Sequence, residues 1–117
     1  MVDMFKYCCS LESLDLSSFT KEKLTSVANM FNHCTNLKTI PVLNFTRATT
    51  LSNNFKDCPS LTNEGLYNIL ESLATCVMLS GANRTLKYIG LSEEQSTICT
   101  TLSNWQALVD KNWTTGY

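Results

Sequence analysis

The chain has 117 residues, of which 44% are hydrophobic and 16% charged, so it fits one domain with a packed core and global disorder is excluded. Nine basic and ten acidic residues leave a net charge of −1, which argues against a nucleic-acid binder and a polybasic membrane-surface protein. No apolar run approaches the roughly 18 residues that a membrane helix needs.

Three segments of the first half share one pattern of residues. They cover residues 4–19, 30–45 and 54–66. When the segments are aligned, a Phe, a Cys and a Leu coincide in each: Phe5, Phe31 and Phe55; Cys8, Cys34 and Cys58; Leu11, Leu37 and Leu61. A period near 25 residues predicts a solenoid of stacked units.

The first two units also carry apolar residues at L-x-x-L-x-L spacing. These residues are Leu11, Leu14 and Leu16, then Leu37, Ile40 and Val42. The last two of each triple alternate, which predicts a short strand with one buried face, and stacked units would place such strands side by side and parallel. In the third unit Glu64 stands where the second apolar residue would recur, so we expect a short or broken strand there.

The run M-F-x-x-C-x-x-L-x-x-L-x-L-x-x-F resembles the BspA-type leucine-rich repeats of bacterial surface proteins over about residues 1–63. The resemblance implies an α/β fold: a leucine-rich-repeat solenoid with a short parallel sheet on one face. It also implies a bacterial cell-surface or secreted protein that adheres to host proteins or to other cells.

The period changes from Asn63 onward. Apolar residues there fall on one face of a helix that Asn63 would cap: Leu66, Ile69, Leu70, Leu73 and Val77. We expect this helix to end before a turn at residues 80–83. Residues 85–91 then restore the L-x-x-L-x-L spacing, which predicts another strand of the same sheet, reached by a helical crossover.

A second helix is predicted to begin at Ser92, which forms an S-x-x-Q capping box with Gln95. Its apolar stripe would consist of Ile98, Leu102, Trp105 and Val109. A last short strand is expected at residues 113–115. The tail is similar to the C-terminal caps of such repeat proteins, so we predict one leucine-rich-repeat domain over residues 1–117, with repeats at 1–63 and a helical C-terminal cap at 64–117.

No cap precedes the first unit, because residues 1–3 align with residues 27–29 inside a repeat. We therefore expect the C-terminal piece of a longer array, or a first unit that a partner covers. An uncovered first unit would also offer a surface for self-association.

Six cysteines are present, and three of them recur one unit apart, without the close spacing of a metal site. Their parallel Cβ directions would be poor geometry for a disulfide. We therefore predict a column of small buried side chains, with no disulfide and no metal, while a metal or redox role is the alternative. Cys9 falls outside the column and is the expected exposed thiol.

His33 lies beside Cys34, which suggests a Cys-His dyad. However, Tyr7 and Asp57 occupy the equivalent positions of the other units, and adjacent side chains point apart. No catalytic or phosphate-binding motif accompanies the pair. We expect neither an enzyme nor a cofactor.

Residues between the leucine positions would face outward from the sheet and form the candidate ligand-binding surface: Glu12, Ser13, Asp15, Lys38, Thr39, Lys87 and Tyr88. The expected function is therefore a non-catalytic binding or adhesion module for a protein or cell-surface ligand, with no nucleic acid and no membrane insertion. The alternatives are a purely structural cap of a longer array and an attachment protein of a phage or mobile element.

Overall fold

A computed structural model describes residues 28–117 of the chain. The regular elements of this part are α1 (Asn63–Ala74), a 3-10 helix (Gly81–Asn83), α2 (Glu93–Cys99) and α3 (Trp105–Val109). The predicted first unit, with Cys8 and Cys9, and the N-terminal surface expected to self-associate lie outside the described residues.

The predicted leucine-rich-repeat solenoid with a parallel sheet is wrong. Residues 28–117 contain helices and turns but no β-strand. Among these residues, Thr85 and Thr114 form an isolated β-bridge in parallel orientation. The BspA-like interpretation required a sheet, and we correct it together with the fold.

The segment at residues 37–45 lies against α1 and does not form a strand. The backbone amide of Leu43 donates to the Ser72 hydroxyl at 2.8 Å, and the amide of Phe45 donates to the Thr75 hydroxyl at 2.7 Å. These side-chain acceptors take the place that a neighbouring strand would fill. Val42, which the alternation predicted to be buried, is 42% exposed.

Residues 85–91 fold into a compact turn, where the sequence predicted an extended strand. The amide of Leu91 donates to the carbonyl of Leu86 at 3.1 Å, and the amide of Gly90 donates to that of Lys87 at 3.0 Å. Gly90 has a φ of +97°, which no extended strand adopts. The apolar spacing here marks the buried positions of a turn.

Three segments at residues 29–35, 53–59 and 86–92, the stacked turns, pack in succession, and the first two fall in the second and third units of the sequence repeat. Backbone hydrogen bonds connect each turn to the next: Phe31 N to Asn54 O (3.0 Å), His33 N to Lys56 O (2.8 Å) and Phe55 N to Ile89 O (2.9 Å). The rings of Phe31 and Phe55 stack between the first two turns, with centroids 5.5 Å apart and planes 9° apart. The sequence period therefore corresponds to a repeated turn and not to a repeated strand.

The first two stacked turns share a left-handed backbone at equivalent positions. The residues are Asn29 (φ +59°), His33 (φ +62°), Asn53 (φ +53°) and Asp57 (φ +58°). Asn, Asp and His are the non-glycine residues that adopt this region most readily. The third turn has one left-handed residue, Gly90 (φ +97°).

The predicted helix after residue 62 is confirmed as α1, with Leu66, Ile69, Leu70 and Leu73 buried. Its N-cap is Thr62 and not Asn63, because the Thr62 hydroxyl accepts from the amide of Gly65 at 3.1 Å. Val77, predicted to lie on the buried face, follows the end of the helix and is 60% exposed.

The capping box of Ser92 and Gln95 is confirmed at the start of α2. The prediction of one long second helix is wrong, because α2 ends at Cys99 and a separate helix, α3, begins at Trp105. Val109, predicted to be part of its apolar stripe, is 40% exposed. The expected strand at residues 113–115 is reduced to the single bridge at Thr114.

The core of the described part contains four buried free thiols, Cys34, Cys58, Cys76 and Cys99. The predicted burial of Cys34 and Cys58 is confirmed. Both lie in the first two stacked turns, one residue after the left-handed position.

Candidate binding groove

Three of the predicted ligand-binding residues, Glu12, Ser13 and Asp15, lie outside the described residues. The other four lie in two different parts of the structure. Lys38 and Thr39 lie beside the first turn of α1, where the Lys38 carbonyl accepts from the amide and the hydroxyl of the N-cap residue Thr62 at 2.9 and 3.0 Å. Gly65 passes so close that an added Cβ would lie 2.3 Å from the Lys38 carbonyl oxygen.

Lys87 and Tyr88 lie beside the C-terminal residues. The Lys87 ammonium is 5.3 Å from the centre of the Tyr117 ring, a cation–π geometry. Tyr88 is half-buried against the core, and its carbonyl accepts from the amide of Asn53 at 2.9 Å. The pair Lys38 and Thr39 and the pair Lys87 and Tyr88 therefore contact different elements.

A groove of about 370 Å³ opens along the stacked turns and the start of α2. Its lining consists of Thr35, Lys56, Asp57, Cys58, Pro59, Gly90, Ser92 and Gln95. Three of these residues, Thr35, Pro59 and Ser92, each follow the left-handed residue of their turn by two positions. The groove thus crosses all three turns, and its size lies in the range of ordinary ligand sites.

One wall of the groove depends on Gly90. A Cβ added there would lie 2.6 Å from the backbone nitrogen of Lys56, and the φ of +97° is unfavourable for any other residue. The Tyr117 hydroxyl donates to the carbonyl of Leu91 at 2.7 Å, so Tyr117 is attached to the residue that follows Gly90.

Helix α2 contributes Gln95 to the lining of the groove. The side-chain nitrogen of Gln95 donates to the backbone carbonyl of Cys58 at 2.7 Å. The side-chain oxygen of Gln95 accepts from the backbone amide of Ser92 at 3.1 Å. One side chain therefore closes the capping box and joins α2 to the second stacked turn. This arrangement fixes the relative positions of the lining residues before any ligand binds.

Cys58 is a buried residue of the lining. The thiol donates to the carbonyl of Phe31 at 3.0 Å. Burial raises the pKa of Cys58 from its ordinary value of 9.0 to about 12, so the group is a protonated thiol at neutral pH. Thiolates and not thiols are the nucleophilic form of cysteine, so this thiol is inert under those conditions.

A close side-chain contact between His33 and Asp57 connects the first two stacked turns beside the groove. The Nε2 atom of His33 is 2.9 Å from the Oδ2 atom of Asp57, and both side chains are partly exposed. The Nδ1 atom of His33 contacts the Oδ1 atom of Asn32. The histidine thus contacts the residue at the equivalent position of the next turn.

Sequence reasoning missed both the groove and this pair. The available signal was the register of the repeat, which places His33 and Asp57 at equivalent positions and Thr35 level with Pro59. Within residues 28–117, no three metal-ligating side chains come together.

Comparisons of the chain with protein-family models, with curated proteins and with solved structures find no match. No helix in the described part is long and apolar enough to cross a membrane.

Proposed function

We propose that the chain is a non-catalytic binding module whose contact surface for a protein or cell-surface ligand is the groove along the stacked turns. The observation that carries this proposal is the pre-formed lining. Gly90 packs on the backbone of Lys56, and Gln95 joins α2 to Cys58, so the groove holds its shape without a ligand. A pre-organised site loses little entropy on binding.

The chemistry of the lining favours binding over catalysis. The Cys58 thiol is protonated at neutral pH and faces a backbone carbonyl. The ring nitrogens of His33 contact Asn32 and Asp57, so the imidazole is engaged on both sides. A nucleophile with an adjacent base, which covalent catalysis requires, is therefore not assembled by these groups.

The test is selection of ligands on the immobilised full chain, with a random peptide library displayed on phage as the probe. Selected peptides are then measured against Lys56→Glu and Lys87→Glu by calorimetry. Both substitutions reverse one exposed lysine, but only Lys56 lines the groove, whereas Lys87 lies on the face that the sequence predicted.

We expect binding that Lys56→Glu abolishes and Lys87→Glu leaves unchanged. Loss of binding in Lys87→Glu alone would move the site to the predicted face and overturn the groove as its location. Failure of any peptide to bind the unaltered chain would contradict a peptide-binding function altogether.

A further inference from the structure

The acceptors of the groove are largely used within the protein. The carbonyl of Cys58 accepts from Gln95, and the side-chain oxygen of Gln95 accepts from the amide of Ser92. One carboxylate oxygen of Asp57 faces His33 at 2.9 Å. Of the side-chain acceptors in the lining, the second oxygen of Asp57 and the hydroxyl oxygen of Thr35 are left for a ligand.

The donors of the groove, in contrast, are available. Within residues 28–117, the Lys56 ammonium and the Thr35 hydroxyl have no hydrogen-bond or ion-pair partner. The Ser92 oxygen accepts from the amide of Gln95, which leaves its O–H as a donor. A lining with spare donors and few spare acceptors is complementary to a group that only accepts.

The charges around the groove further limit the kind of ligand group that can bind. Lys56 and Asp57 are the two charged residues of the lining; the Asp57 carboxylate faces the Nε2 atom of His33 at 2.9 Å, whereas the Lys56 ammonium has no ion-pair partner among the described residues. Glu93 and Glu94 begin α2 just beyond the lining and are exposed. These carboxylates repel a polyanion but leave one small anionic group able to reach Lys56.

We propose that the groove recognises a single carboxylate on an otherwise uncharged, extended peptide segment of a partner protein, an inference that rests on the proposed binding function. The Lys56 ammonium forms the ion pair, and the hydroxyls of Thr35 and Ser92 donate to the carboxylate oxygens. Pro59 and Gly90 supply apolar surface for the flanking peptide backbone.

The experiment titrates the full chain with two synthetic peptides of alanine and serine, blocked at both ends, that differ only in a central Glu or Gln. A third peptide with Gln at the centre and an unblocked C-terminus distinguishes a side-chain carboxylate from a terminal one. Amide chemical shifts in nitrogen–proton NMR spectra report the affinity and the location together. Each titration is repeated with Lys56→Gln and, as the matched control, Lys87→Gln.

We expect the Glu peptide to bind about tenfold more tightly than the blocked Gln peptide, the effect of one charge-assisted contact. Shifts should centre on Thr35, Lys56 and Ser92, and Lys56→Gln should remove the preference while Lys87→Gln retains it. Tighter binding of the unblocked Gln peptide would assign the site to a chain terminus and overturn the side-chain form of the proposal.

Equal binding of the Glu peptide and the blocked Gln peptide, or a preference unchanged by Lys56→Gln, would overturn carboxylate recognition. The binding function would stand in that case if library peptides still occupied the groove. Absence of binding by these peptides and by every library peptide would overturn both proposals.

Discussion

The stacked turns and the helical region reach a buried core by different means. In the turns, backbone bonds join segments more than twenty residues apart, as between Phe31 and Asn54, and left-handed residues set their shape. In α1 and α2, local caps fix the start of each helix, and buried residues on one face attach it to the core. The turns should therefore be sensitive to backbone changes that the helical region tolerates.

The largest effect should come from Gly90→Ala in the third stacked turn. The new Cβ would lie 2.6 Å from the Lys56 nitrogen at a φ of +97°, so we expect a loss of about 3 kcal/mol in the free energy of unfolding. Urea denaturation measures it. The control is Gly81→Ala, where an added Cβ meets nothing within 4 Å. Equal effects at the two glycines would refute the contrast.

Alkaline pH should weaken the core through its buried thiols. Burial raises the pKa values of Cys58 and Cys99 from 9.0 to about 12. Below pH 9 both thiols are protonated in the folded and unfolded chain, so they contribute no pH dependence. Between pH 9 and 12 the unfolded chain loses these protons first, and stability falls by about 1.4 kcal/mol per thiol per pH unit.

Urea denaturation at pH 8 and pH 10 measures this loss. To isolate the contribution of the two thiols, the relevant quantity is the difference between the unaltered chain and the variant with Cys58→Ala and Cys99→Ala. The variant should lose less stability over the interval. The same loss in both proteins would contradict raised thiol pKa values.

Asn54→Leu should stabilise the stacked turns. Asn54 is fully buried, and neither polar atom of its side chain has a hydrogen-bond partner among residues 28–117. The equivalent residue of the first turn is the buried Met30. A nearly isosteric apolar side chain removes two unpaired polar atoms, so we expect a gain of about 1–2 kcal/mol by thermal denaturation.

The matched control for that gain is Asn32→Leu. Asn32 is also buried, but its amide donates to the Asn29 side chain at 3.2 Å and to the Asn53 carbonyl at 3.3 Å. This change should destabilise the chain. Destabilisation by Asn54→Leu as well would mean that Asn54 is well satisfied.

Ser92→Ala should give the smallest effect, about 1 kcal/mol, by removing the N-cap of α2. The change leaves Gln95 in contact with Cys58, so it tests the local cap separately from the attachment of the helix. Thr97→Ala, on the exposed side of the same helix, is the control and should be nearly neutral. An effect above that of Gly90→Ala would reverse the comparison between the two regions.

Local signals predicted the helical region well. The capping box at Ser92 needs only four adjacent residues, and the face of α1 follows from one period. The end of α2 was not foreseen because the apolar stripe continues across it. There the hydroxyls of Thr100 and Thr101 donate to backbone carbonyls at 2.6 Å, which competes with further helix.

The turns and the groove were harder to predict, because alternating apolar residues fit a strand and a tight turn equally well. Positive φ at His33 and Asp57 distinguishes the two, and neither residue type requires it. The groove combines Thr35, Pro59 and Ser92 from three turns. The register of the repeat relates Thr35 to Pro59 but does not include Ser92, and the predicted sheet favoured Lys38 and Lys87 instead.

The most direct test of the account is a crystal structure of the full chain bound to a peptide selected from the library. We predict that the peptide lies across the stacked turns, with a carboxylate at Lys56 and hydrogen bonds from Thr35 and Ser92. A peptide bound elsewhere, with the groove filled by protein side chains, would contradict the account.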